Sequence, residues 1–183
     1  RDVDATTPAS WAFVVVDGSC LGNRDVDATT PASWAFVVVD GDLPHGRGSG
    51  EVVHEEAGPV ITDPEAPGVL GAEVGSTTTA ELSAFAQALR WLLLQASDAS
   101  ALIRADSIYA GNLADGSWKA KANRSLVARV QTLWREVKQQ REVAWDHVRA
   151  HRGHRWNERA DHLAGRHALG EAPDPLSFWR TGR

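Results

Sequence analysis

The apolar positions of this 183-residue chain change period along its length, dividing a strand-rich first third from a helix-rich remainder. Near the start, WAFVVV is an unbroken, largely β-branched apolar run closed by Asp17-Gly18, which predicts a buried strand followed by a turn. The same words return: residues 1–18, RDVDATTPASWAFVVVDG, recur without a change as residues 24–41. Natural repeats diverge, so perfect identity implies a recent or deliberate duplication, and two occurrences do not make a solenoid. Two such runs joined by SCLGNRDVDATTPAS predict neighbouring antiparallel strands. A third strand is expected over residues 50–57, around Val52, Val53 and His54. Residues 58–76 hold Pro59, Pro64, Pro67 and several glycines, and read as a surface loop. From residue 79 to 95 the period becomes helical, with Leu82, Phe85, Ala86, Leu89, Leu92 and Leu93 on one face. A short buried strand over 101–105 then ends at Asp106. A second helix over 126–139 presents Leu126, Val130, Leu133, Trp134 and Val137. A strand over 143–149 and a helix over 157–169 complete the pattern.

Three strands followed by helix, strand, helix, strand and helix predict an α/β domain on a mixed sheet. The length suits one domain, expected over residues 1–169, with residues 170–183 (GEAPDPLSFWRTGR) as a loose tail. Hydrophobic residues at 43% and charged residues at 23% are ordinary for a soluble protein. No apolar run approaches the roughly 20 residues of a membrane span, so a membrane partner is not expected. No basic segment precedes an apolar one in the manner of a leader, and Cys20 alone makes no internal disulfide. A cytoplasmic monomer is the expectation.

A net charge of -5 argues at first against a nucleic-acid partner. Its distribution changes the picture. Between Lys119 and Arg159 eleven basic side chains face four acidic ones, a local net charge of +7. The acidic excess sits earlier, where carboxylates can serve a metal. A basic stretch beside an acidic pocket suits a metal-dependent enzyme acting on phosphodiesters, although part of the stretch also reads as a solvated helix face.

Four acids stand where such a sheet gathers its ends. Asp17 closes the first strand, Glu81 lies in the first turn of the first helix, Asp106 closes a later strand, and Asp161 lies early in the last helix. Hard oxygen ligands from separate elements suit Mg2+ or Mn2+, and two such ions about 3.5–4 Å apart can align an attacking water and a leaving oxygen across one phosphorus. Each acid also has a plainer reading. Glu81 follows Thr78 by three and fits a capping box; Asp17 and Asp106 fit turns; Asp161 fits the positive end of a helix dipole. His151 and His154 lack the further ligands a zinc site needs.

DGSCLGN at 17–23, TAEL at 79–82, ADS at 105–107 and VRAHRGHRWNERADHLA at 148–164 resemble, in order, the motif blocks of type 1 ribonucleases H. The resemblance covers most of residues 12–167. It implies a ribonuclease H-like fold: a five-stranded mixed sheet of three antiparallel strands and then two parallel ones, flanked by helices. It also implies an endonuclease that cuts the RNA strand of RNA/DNA hybrids with two Mg2+ ions, for which Mn2+ can substitute, leaving 3′-hydroxyl and 5′-phosphate ends. Asp17 would bridge both ions, Glu81 and Asp106 would complete one shell, Asp161 would serve the other, and His151 would assist proton transfer or product departure. Gly18, Ser19, Cys20 and Asn23 would approach the RNA strand and its 2′-hydroxyls. Ser76 and Asn123 would bind a DNA phosphate, and Trp118 would lie against a deoxyribose.

The chain departs from the pattern in places. Thr77 and Thr78 replace the usual asparagines, with Thr77 kept as a contact to RNA. Ile108 replaces a glutamine, RDVDATTPAS replaces a short proline-glycine turn, and the extra basic helix of some bacterial members has no room. Other nucleases of the same fold, exonuclease or transposase-like, and a hybrid-binding module with an impaired site remain alternative readings.

Overall fold

The computed structural model describes residues 12–22, 24–41, 48–150 and 153–182. Three strands come first: β1 (Ala12–Cys20), β2 (Ala32–Asp40) and β3 (Glu51–Pro59). They are followed by α1 (Thr77–Leu94), β4 (Ala101–Ala105), α2 (Ile108–Ala114), α3 (Arg124–Gln140), β5 (Val143–His147) and α4 (Arg155–Ala168). The strands form one sheet in the order β3-β2-β1-β4-β5, antiparallel across the first three and parallel from β1 through β4 to β5. The mixed five-stranded sheet is the one the sequence predicts.

Helices cover both faces, which is why β1 and β2 are apolar at successive rather than alternate positions. On one face Val14, Val16, Phe36 and Val38 pack with α1, α2 and α3; on the other Phe13, Val15, Ala35, Val37 and Val39 pack with α4. The duplicated strands are used upside down relative to each other. Phe13 faces α4, whereas its copy Phe36 faces α1. The register explains this: Phe36 pairs with Val16 rather than with Phe13, an odd displacement, and successive side chains alternate between faces. A run with apolar residues at every position tolerates either orientation.

Most element ends shift by a residue or two, and three differences carry a physical reason. The short helix α2 is absent from the predicted order because Ala110, Leu113 and Ala114 make too brief an apolar stripe, interrupted by Gly111. A β-carbon on Gly111 would lie 2.5 Å from the Trp145 ring, so the glycine is where α2 meets β5. Helix α1 begins at Thr77, two residues earlier than predicted, with Ser76 as N-cap. The segment after α4 is not a loose tail. Trp179 is 4% exposed and packs with Leu176 on the α4 face of the sheet. Arg159 of α4, itself buried, donates to the Asp174 carbonyl (2.8 Å) and forms a paired ion bridge with Glu55 of β3 (2.9 and 2.6 Å). Among the described residues, no helix is long and apolar enough to cross a membrane.

Candidate active site

The parallel pairing of β1 with β4 ends at Val16 opposite Ala105, so Asp17 and Asp106 are the next residues on adjacent strands. They emerge side by side at the carboxyl ends, where open α/β sheets place their ligands. Glu81 arrives from α1, and Gly18 is what lets the helix come so close. A β-carbon at Gly18 would stand 2.5 Å from the Ala80 carbonyl carbon and from the Glu81 nitrogen. Asp17, Glu81 and Asp106 each offer a carboxylate oxygen within 4.8 Å of the other two, a spacing one octahedral cation can bridge.

The electrostatics fit a site that expects a cation. Asp17 is buried, and its carboxyl is pushed well above the usual range, first by burial and then by the charges of Asp106 and Asp161. Only the Gly18 N–H, donating to Asp17 Oδ1 at 2.8 Å, opposes this strongly. Glu81 is raised to about 7 by burial and by Asp106, against the pull of a hydrogen bond from the Ser107 hydroxyl. Acids packed this closely repel one another, and hard oxygen donors with that repulsion suit Mg2+ or Mn2+.

Asp161 lies on an exposed turn of α4, outside the triad but near enough to raise the Asp17 carboxyl. The plainer reading of Glu81 falls away. The capping box of α1 is made by Ser76 and Thr79, whose side chains exchange bonds with each other's backbone N–H (3.0 and 2.9 Å). Glu81 therefore sits two residues deeper in the helix than a cap at Thr78 predicts and is free to face the strand ends. Ser107, which the sequence reading did not single out, caps α2 by accepting from the Ala110 N–H at 3.0 Å while holding Glu81. Its signal was present, since a serine follows Asp106 directly and begins a short helical stripe.

The predicted substrate contacts divide. Gly18, Ser19 and Cys20 end β1 beside the triad, and the Cys20 thiol donates to the Gly22 carbonyl at 2.8 Å. Ser76 is occupied as the α1 N-cap, and Thr77 is exposed beside it. Trp118 is 46% exposed and its ring lies 6.2 Å from that of Tyr109. Asn123 holds a left-handed backbone (φ 53°) at the start of α3 and makes no capping bond with its side chain, which leaves that amide available to a ligand. Asn23 and His151 lie outside the described residues.

A model of the RNase H family matches residues 10–169. Among solved structures, the chain is similar to RNase H1 from the halophilic archaeon Halobacterium salinarum NRC-1. That match has 23% identity and a TM-score of 0.62, and covers 88% of this chain and 98% of that one. It is also similar to the N-terminal RNase H domain of a Mycobacterium tuberculosis protein, with 21% identity, a TM-score of 0.59, and coverage of 87% and 95%. A third similar structure is LC11-RNase H1 in complex with an RNA/DNA hybrid, at 20% identity and a TM-score of 0.59, covering 84% of this chain and 94% of that one. A search of curated proteins finds no match. At these identities the structural likeness speaks to the fold.

Proposed function

The chain belongs to the RNase H family, and from that premise we propose that it hydrolyses the RNA strand of RNA/DNA hybrids at a divalent-metal site built on Asp17, Glu81 and Asp106. The observation that carries the reading is the convergence of these three carboxylates at the ends of β1 and β4 and on α1. In this reading Asp17 and Asp161 hold a second ion. Bound Mg2+, or Mn2+ in its place, supplies an activated water and stabilises the leaving oxygen, giving 3′-hydroxyl and 5′-phosphate ends.

The protein's own part is to hold and orient. Asp17 is fixed by the Gly18 N–H and Glu81 by Ser107, so neither carboxylate has to reorganise when substrate arrives. His151 moves a proton during turnover or product departure. Gly18, Ser19, Cys20, Asn23 and Thr77 face the RNA strand, while Ser76, Asn123 and Trp118 take the DNA strand. The structure of LC11-RNase H1 with an RNA/DNA hybrid supports that choice of substrate. Residues 1–169 carry the catalytic groups, with residues 171–182 packed onto the same core, and the protein works as a cytoplasmic monomer.

Labelled RNA/DNA hybrid, plain RNA and plain DNA, each with and without Mg2+, test the reading. Cleavage is expected of the hybrid's RNA strand alone, and only with the metal. The duplication supplies an internal control. Asp17→Asn should cut the rate by about a hundredfold or more, since even partners outside a metal's first shell are worth 10–100-fold. Asp40→Asn, the same residue after the same sixteen residues, should change little, because Asp40 is exposed at the far end of β2. Equal cutting of plain RNA, or an unaffected Asp17→Asn, overturns the proposal. Hybrid binding without turnover marks a binding module instead.

A further inference from the structure

The connection between β1 and β2 is built as a brace. Its hairpin closes where the Leu21 N–H donates to the Pro31 carbonyl at 3.0 Å. Within it, residues 27–30 form a self-contained turn. The Asp27 carboxylate accepts from both the N–H and the hydroxyl of Thr29 (2.7 and 2.6 Å), and the Thr30 hydroxyl accepts from the Asp27 N–H (2.9 Å). The Asp27 carboxylate is thus spent on the turn itself. What the turn offers outward is main-chain carbonyls.

Those carbonyls grip two other segments. The Asp27 carbonyl accepts from the Gly75 N–H at 2.9 Å, and the Ala28 carbonyl accepts from the Thr62 hydroxyl at 2.7 Å. The Thr30 carbonyl lies against Gly75 so closely that a β-carbon there would stand 1.9 Å from it. On the other side of Gly75, the Cys20 sulfur is 3.7 Å from the Gly75 carbonyl. Gly75 is therefore enclosed between the end of β1 and the turn, and it immediately precedes Ser76 and Thr77 at the start of α1. Only a residue without a side chain fits.

We infer that the turn at residues 24–31 is a positioning element for the hybrid: it sets the spacing between Cys20–Gly22 and Gly75–Thr77 so that both reach the substrate together. The inference rests on the proposed substrate, and it assigns roles to Gly75, Thr62 and the turn that the motif blocks do not contain. The turn's hydrogen bonds to other segments run to Leu21, Thr62 and Gly75 rather than to the carboxylate triad, so it acts on binding and not on the chemical step. Two segments held at a fixed separation before binding lose less freedom on contact, and that advantage appears in KM.

Two variants test the brace in steady-state cleavage of hybrid. Gly75→Ala forces the turn off the start of α1 and, by loosening the preset spacing of the two segments, is expected to raise KM about tenfold with kcat within about twofold. Thr62→Val removes one anchoring hydrogen bond at an exposed site and is expected to raise KM about two- to tenfold. Mn2+ titration calorimetry should give the same affinity in wild type and both variants, which a collapsed site would not. If Gly75→Ala does not fold, Thr62→Val decides. Unchanged KM in folded variants overturns the brace, as does a fall in kcat at constant KM or a weakened Mn2+ affinity. If wild type neither binds nor cuts hybrid, the proposed function fails and the brace with it. If wild type does both and the variants match it, the brace alone fails.

Discussion

Glu81 and Asp17 are held as acids in a place built for a charge they cannot carry alone. Both carboxyls are raised in the folded protein, so the fold retains protons that the unfolded chain has already released. Their contribution to stability is therefore complete below the ordinary carboxylate pKa. It is lost as the pH rises, for Glu81 through about 7. Metal-free protein should unfold at lower urea at pH 8 than at pH 5. A shift from 4.5 to about 7 makes the Glu81 part of that difference about 2 kcal/mol, because some of it is already lost by pH 5. Glu81→Gln should flatten this difference, and saturating Mn2+ should offset it at pH 8, where the ligands are deprotonated. Urea melts at the two pH values check all three; a pH slope of opposite sign in wild type, or one unchanged by Glu81→Gln, would refute the account. At this scale the sequence names the acids but not their state. Burial, the neighbouring charges and the Ser107 bond exist only once β1, β4 and α1 have met.

At the scale of elements, α4 carries Asp161 and is held by contacts far away in the chain. Arg159, two residues before Asp161, joins α4 to Glu55 on β3 and to the Asp174 carbonyl, with its guanidinium 5.5 Å from the Trp179 ring centre. Trp179 covers that arrangement. Trp179→Ala should cost about 3–5 kcal/mol in chemical denaturation, the usual range for a buried aromatic. A loss below about 1 kcal/mol would mean that residues 171–182 are a passive tail after all. The sequence shows no periodicity after Gly170, since a segment that packs through isolated contacts, chiefly Trp179, Leu176 and the Asp174 carbonyl, has neither helical nor strand spacing. Helix α2 escaped notice for a related reason, because its burial depends on Gly111 meeting Trp145 across the fold.

For the molecule as a whole, the basic residues between Lys119 and Arg159 outweigh a net charge of -5 only locally. Hybrid affinity should fall by at least about tenfold between 50 and 200 mM salt, through release of counterions from the few phosphates that segment reaches. Anisotropy titrations across that range would measure the slope, and a flat response would place the grip elsewhere. The sequence by itself determined the order of the strands and longer helices and the burial of the first two strands, and it named four candidate acids. Each of these is written in local terms: apolar period, turn residues, and short motifs whose spacing survives in the chain. The motif DGSCLGN already singles out Asp17 from Asp40; only the tertiary structure decided what surrounds each copy of WAFVVVDG. Asp17 and Asp40 share the sequence before them and part only after the following glycine, SCLGN against DLPHG, and it is the strand paired in parallel with β4 that brings its aspartate beside Asp106. Pairing is a relation between distant segments, and two copies of one apolar run are told apart inside the fold by what they meet.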